Sequence, residues 1–322
     1  MTAATLVSLD AIQQAAARIA GVARKTPLLD VSDIAGRSLH LKCENLQPIG
    51  AFKVRGAFNM MARLEPEARA RGVLTYSSGN HGNAVAYAAK KLGIPAVIVM
   101  PTTAPAVKVA GARELGAEVL FEGTTTLHRK ARAEQEQQAR GLVMVPPFDH
   151  EWIIEGQGTA GLEIMDALPR AGTVVVQIGG GGLIAGVSAA VKAMNPAVRV
   201  VGVEPAGAPK MSASLAAGHP ITLESTSSIA DGLLAVRPGE LTFVYAQRFV
   251  DEIVQVSDDA ILRATLWLFE RAHLVVEPSG AVAVAAVLDG LAKGPGPVVA
   301  MISGGNIALD TLAELARSAR AR

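Results

Sequence analysis

A single cysteine, Cys43, occurs in 322 residues. One thiol excludes an intrachain disulfide and every metal motif that needs two cysteines. Net charge is also scarce, since 30 basic against 29 acidic residues leave +1. No basic stripe or tail gathers that charge, so a nucleic-acid surface is not expected. Apolar runs of membrane-spanning quality are missing. The longest, Val275–Ala292, carries Glu277 and Asp289, and no membrane association is expected. The opening MTAATLVSLDAIQQ has no charged segment followed by an apolar core, so it does not read as a secretion signal and a cytoplasmic location is expected. Internal repeats, low-complexity tracts and obvious flexible linkers are absent too. Half the residues are apolar and 18% are charged, which excludes disorder. The length suffices for one large or two ordinary domains with a sizeable core.

Strand and helix patterns alternate along almost the whole chain. Ala96–Met100, Val174–Ile178, Val198–Val203 and Val298–Ile302 are short branched apolar runs bounded by Gly, Pro or small polar residues. Continuous apolarity predicts parallel strands covered on both faces. Ala-rich stretches between them predict helices over Asn83–Leu92, Leu127–Ala139, Leu183–Met194, Asp258–Arg271 and Leu309–Arg320. The alternation argues for an open, wound α/β sheet. Prolines 101–105 and 146–147 mark loops, the second a candidate crossing between lobes.

Four segments carry chemistry. In Glu44-Asn45-Leu46-Gln47-Pro48-Ile49-Gly50-Ala51-Phe52-Lys53-Val54-Arg55-Gly56-Ala57, a lysine flanked by Phe52 and Val54 follows a Pro/Gly turn and precedes a helix. An amine in apolar surroundings has a lowered pKa and becomes a nucleophile towards an aldehyde. Ser77-Ser78-Gly79-Asn80-His81-Gly82-Asn83 opens a helix, where small polar residues either cap backbone N–H groups or hold an anion such as a substrate carboxylate. Gly179-Gly180-Gly181-Gly182-Leu183 runs from an apolar strand into an apolar helix, a loop whose N–H groups can turn inward around a phosphate. It is neither a P-loop nor a full dinucleotide fingerprint. Ser303-Gly304-Gly305-Asn306 ends another apolar strand, where ligands sit in open α/β sheets.

The order of these four segments closely resembles the fold-type II pyridoxal-phosphate enzymes, within them the threonine/serine dehydratase and serine racemase family. The likeness runs from Arg24-Lys25-Thr26-Pro27-Leu28 to Asn306 and includes Gly156-Gln157-Gly158-Thr159 and Ala230-Asp231-Gly232-Leu233. It implies an α/β chain of two lobes, each a wound, mostly parallel sheet flanked by helices, like the tryptophan synthase β-subunit. Residues 1–71 with 150–322 would form a large cofactor-binding domain and 72–149 a small substrate-gripping one. The cofactor implied is pyridoxal 5'-phosphate. Lys53 would condense with its aldehyde, Gly179, Gly180, Gly181, Gly182 and Leu183 would hold its phosphate, and Phe52 would pack on its ring. Asn80 would meet the ring hydroxyl and Ser303 the pyridine nitrogen. Ser77, Ser78, Gly79, Asn80 and His81 would grip the substrate carboxylate, with Ser78 matching the opposite-face acid/base of serine racemases.

A neutral serine at the pyridine nitrogen makes the ring a weaker electron sink, which favours elimination over transamination. The activity implied is therefore loss of water from a small-molecule 3-hydroxy amino acid, L-threonine or L-serine by default, with phenylserine or hydroxyaspartate as bulkier options, giving a 2-oxo acid and ammonia. Serine racemisation is the alternative. A β-replacement synthase usually reads S-G-N-T-G where this chain has Gly79-Asn80-His81-Gly82. A homodimer is implied as well. Some relatives bind a divalent cation through a Glu, a backbone carbonyl and an Asp. Glu204 matches the first, but Lys210 stands at the Asp position. An ammonium cannot ligate a metal, so no metal site is expected, and Lys210 is a candidate source of the same positive charge. His40, His128, His150, His219 and His273 are scattered and carry no assigned chemistry. Little chain follows Asn306, so a C-terminal regulatory domain and feedback by isoleucine are not expected.

Overall fold

The computed structural model describes residues 6–77, 79–104, 106–124 and 126–320. Among the described residues, ten strands form two sheets. They are β1 Leu28–Asp30, β2 His40–Cys43, β3 Val73–Thr75, β4 Ala96–Met100, β5 Glu118–Phe121, β6 Val143–Met144, β7 Thr173–Gln177, β8 Arg199–Pro205, β9 Glu252–Val256 and β10 Val298–Ile302. The six-stranded sheet has the order β1-β2-β10-β7-β8-β9 and the four-stranded sheet β5-β4-β3-β6. Every pairing is parallel except β1 with β2. This is the expected two-lobed α/β architecture.

The central strands are apolar because both of their faces are covered. All of β7, TVVVQ, is buried, as is all of β4, AVIVM. Helix Pro278–Leu288 is buried at every position from Pro278 to Val287, so it is apolar all round rather than on one stripe. Helix Gly182–Met194 is likewise buried from Gly182 to Val191. It lies against helix Glu151–Ala167, which in turn meets helix Lys53–Met61. Glycines permit these close crossings. A Cβ on Gly156 would fall 2.5 Å from Gly56 Cα, and one on Gly186 would fall 2.4 Å from the Gly158 nitrogen. The phrase Gly156-Gln157-Gly158-Thr159 is thus a helix-packing surface. No described helix is long and apolar enough to cross a membrane.

Both sheets aim their strand carboxyl ends at the segments singled out above. The six-stranded sheet delivers the tetraglycine loop after β7 and Ser303 after β10. The four-stranded sheet delivers Ser77 just after β3. Expected β7 shifts by one residue, but Ile178 N still bonds Val203 O at 2.8 Å, so the ladder continues past the strand's formal end.

Candidate active site

The turn before Lys53 is built by Gly50, whose positive φ of 71° suits a residue without a Cβ and lets its N–H reach Gln47 O at 2.8 Å. The chain then runs beside the end of β10. Ala51 pairs with Gly304 in an antiparallel bridge, and Phe52 N donates to Ser303 O at 3.0 Å. Lys53 and Ser303 are therefore fixed together although 250 positions separate them. Lys53, half-buried, is the first residue of its helix. Its Nζ donates to Pro147 O at 2.5 Å and lies 5.1 Å from the centre of the Phe52 ring. Burial pulls the amine down to about 8, so about a tenth of it is uncharged at neutral pH.

Ser303 is buried at the end of β10. The Gln177 amide, with its oxygen facing Ser303 as the hydrogen bonds demand, accepts from Ser303 N at 3.2 Å and Oγ at 2.6 Å and donates to Met301 O at 3.3 Å. A neutral hydroxyl is thus held by a neutral amide.

The tetraglycine loop is clamped from below. Gly180 O accepts from Thr242 Oγ1 at 2.7 Å and from Gly239 N at 3.2 Å. Thr242 is itself set by Asp149, whose carboxylate accepts from the backbone N–H groups of Glu240, Leu241 and Thr242 at 3.0, 3.0 and 3.2 Å, capping helix Glu240–Phe249. Gly181 has φ of 100°. A Cβ on it would come within 2.7 Å of Thr242 Oγ1, and one on Gly180 would enter the Phe148 ring at 2.2 Å. Only glycine fits this bend, and the N–H groups of the first turn of helix Gly182–Met194 have no acceptor within the helix. A phosphate fits such a cradle. Leu183 is buried beside Ile178 and Ile184.

Asn80 opens helix Asn80–Leu92 and binds the other lobe at both ends of its amide. Its Nδ2 donates to Glu277 Oε1 at 2.6 Å, and its Oδ1 accepts from Asn306 Nδ2 at 2.7 Å. Ser77 and Gly79 lie next to it, half-buried, with Gly79 N donating to Ser77 Oγ at 3.4 Å. His81 is buried and bonds Val145 O through Nε2 at 2.9 Å. That contact reaches across 64 positions, so the ring is not held locally. Burial first, then the Lys53 charge, push the imidazole down to about 3 against the bond to Val145, and His81 is neutral. Ser78 lies outside the described residues. Cys43 is buried in β2, where burial pushes its thiol up to about 12; it is inert.

Two further groups support the site: Glu277, whose place at a helix start left open whether it faces the site or serves that helix, and Arg55, which was not assigned from sequence. Glu277 does not cap its own helix. Its carboxyl faces Asn80, and burial, with Asp231 adding to it, lifts the carboxyl to about 7 against the Asn80 hydrogen bond. The folded state therefore binds a proton that the unfolded chain, near 4.5, has lost. Stability from this group is present below 4.5 and is lost as pH rises through 7. Glu277→Gln is expected to stabilise the cofactor-free protein above pH 7 by on the order of 2–3 kcal/mol. Its urea midpoint would converge with that of wild type as pH falls to 4.5, the unperturbed carboxyl value. The second group is Arg55, fully buried. It donates to both oxygens of Glu44 at 2.7 and 2.8 Å and both of Glu163 at 2.8 and 2.9 Å, and so fixes the helix that begins at Lys53. A second charge, after Lys53, in the otherwise uncharged KVRGAFNMM was the only signal.

A partly uncharged amine, a glycine loop at a helix start and a neutral hydroxyl near neighbouring strand ends are parts that a phosphate-bearing aldehyde cofactor would need. Residues 19–304 match the family model described as pyridoxal-phosphate dependent enzyme. The chain is 45% identical over 305 residues to L-threonine ammonia-lyase of Thermotoga maritima, covering 94% of this chain and 76% of that protein. It is 42% identical to serine racemase of Oryza sativa subsp. indica, covering 95% and 93%. The solved structure of maize serine racemase superposes with a TM-score of 0.91 at 40% identity, covering 98% of each chain. The chain belongs to the pyridoxal-phosphate-dependent enzymes.

Proposed function

We propose that this enzyme is a dehydratase, or ammonia-lyase, that converts a 3-hydroxy amino acid such as L-threonine or L-serine to a 2-oxo acid and ammonia. The observation that carries the reading is the pair formed by Lys53, an amine with its pKa pulled to about 8, and Ser303, a neutral hydroxyl held by Gln177. Pyridoxal phosphate, when bound, withdraws electrons from the substrate Cα; a neutral partner at its ring nitrogen limits that withdrawal and leaves β-elimination as the favoured outcome. Lys53 would hold the cofactor, and its side-chain nitrogen would take the Cα proton as general base. Gly179–Gly182 and Leu183 would receive the phosphate, Phe52 would cover the ring, and Asn80 would meet its hydroxyl. Ser77, Ser78, Gly79, Asn80 and His81 receive the substrate carboxylate. With the His81 ring committed to Val145, its share falls to the backbone N–H at the helix start. The β-hydroxyl departs as water, and the released enamine takes up a second water to yield the 2-oxo acid and ammonia.

The lobe of residues 72–149 grips the substrate, while 1–71 with 150–322 holds the cofactor. The test is a panel of 3-hydroxy amino acids, phenylserine and hydroxyaspartate included, each assayed for 2-oxo acid release. We expect threonine or serine to lead; flat activity across the panel would remove the dehydratase reading. Ser78 and the likeness to serine racemases favour racemisation as a side activity, read by D-serine formation from L-serine. A homodimer accompanies this reading; sedimentation at the mass of one chain would refute it. A cytoplasmic location goes with this reading.

A further inference from the structure

Lys210 is fully buried at the first position of helix Lys210–Ala217. Its Nζ donates to three backbone carbonyl oxygens, of Ile178 at 2.8 Å and of Ala208 and Leu233 at 3.0 Å each. A Glu204 carboxylate oxygen stands at 3.4 Å. Carbonyls only accept. A neutral amine offers two N–H groups and an ammonium three, so satisfying all three carbonyls takes the charged form. Burial lowers the amine's pKa from the usual lysine value, and Glu204 opposes this. Glu204 is in turn anchored by Met211 N at 2.8 Å, Ser212 N at 2.9 Å and Ser212 Oγ at 2.7 Å. Three carbonyls and one carboxylate around a buried positive charge form the kind of oxygen shell that hard cations take.

The place of this shell gives it a task. Ile178 immediately precedes the tetraglycine loop, and Glu204 lies in β8, which pairs with β7. Leu233 follows Gly232, whose carbonyl backs Gly179 at 3.3 Å from where a Cβ would stand. One ammonium therefore ties together three segments behind the phosphate cradle. We propose that Lys210 is a tethered cation: its ammonium occupies, in this chain, the position of a metal ion behind the phosphate loop, and the enzyme requires no free cation there. The divalent ion implied by the family resemblance does not fit these residues, because the shell is filled by a covalently attached positive charge. Lys210 is a positioning residue. The proposal rests on the cofactor assignment and not on the substrate, so its readout is thermal unfolding, which is blind to the amino acid turned over.

The holoenzyme is melted in EDTA and again with millimolar Mg2+, Ca2+ or K+. Wild type is expected to hold its Tm within about 1 °C under every condition, with unchanged turnover. Lys210→Asp and Lys210→Ala, melted in EDTA, are expected to lose roughly 5–10 °C for a broken buried charge pair. Lys210→Asp, which rebuilds an all-oxygen site, is expected to recover most of that loss with Ca2+ or Mg2+. Wild type that loses stability in EDTA and regains it with a cation overturns the proposal. So does a folded Lys210→Asp that is indifferent to every ion. Where neither variant folds, the wild-type arm decides alone.

Discussion

Lys53→Ala protein is expected to release 2-oxo acid from its best substrate at least about 10⁴-fold more slowly than wild type. The size follows from two roles on one nitrogen. On the proposed reading the amine would be the covalent anchor of the cofactor and also the base for the Cα proton. Loss of a positioned base alone is worth about 10² to 10⁴, and loss of the anchor adds to it. The fold should tolerate the change. Lys53 Nζ donates to Pro147 O, and its burial disfavours the charged form, so removing it also removes a desolvation cost. The variant should therefore keep the Tm of cofactor-free wild type while lacking the visible absorbance that borohydride is expected to erase in the loaded wild type. Because the amine sits at about 8, the rate at which cofactor-free wild type captures pyridoxal phosphate should rise with pH and level off above that value. Turnover by Lys53→Ala within tenfold of wild type would remove the amine from the chemistry.

What the sequence made legible and what it hid divide along one physical line. Strands covered on both faces announce themselves as unbroken branched runs, and β4 and β10 fall where that pattern placed them. β5 and β9 lie at sheet edges with partly exposed side chains, and β3 and β6 span three and two residues; neither kind carries enough periodicity to be read. Helix Glu151–Ala167 was hidden for the opposite reason. Its glycines look like a loop, yet they are there so that two other helices can touch it. The site shows the same split. Lys53, the tetraglycine bend and Ser303 stand in local phrases whose composition is itself the chemistry. Glu277 acts through a partner about 200 positions away, and Arg55 joins Glu44 to Glu163, over 100 positions away, and no local pattern encodes a partner across that distance.

Arg55 gives the second large effect, this time on stability. Its guanidinium is the positive centre between Glu44 and Glu163, with Lys42 donating to Glu163 at 2.5 Å. Burial alone would raise the Glu44 carboxyl, but Arg55, Lys42 and the Thr26 hydroxyl together hold it below the usual range. Arg55→Ala leaves a fully buried carboxylate with Lys42 as its nearby cation and neutral donors from Thr26 and Gln47, and breaking such a pair costs about 3–5 kcal/mol. That corresponds to a Tm lower by roughly 5–10 °C. The lowered Glu44 pKa contributes stability that is present above 4.5 and disappears as pH falls through the folded value, so the gap between variant and wild type should narrow in acid. Arg55→Met with Glu44→Gln should recover part of the loss, since it withdraws both charges instead of stranding one. An Arg55→Ala protein whose urea midpoint equals that of wild type at neutral pH would show that this buried network does not hold the helix carrying Lys53.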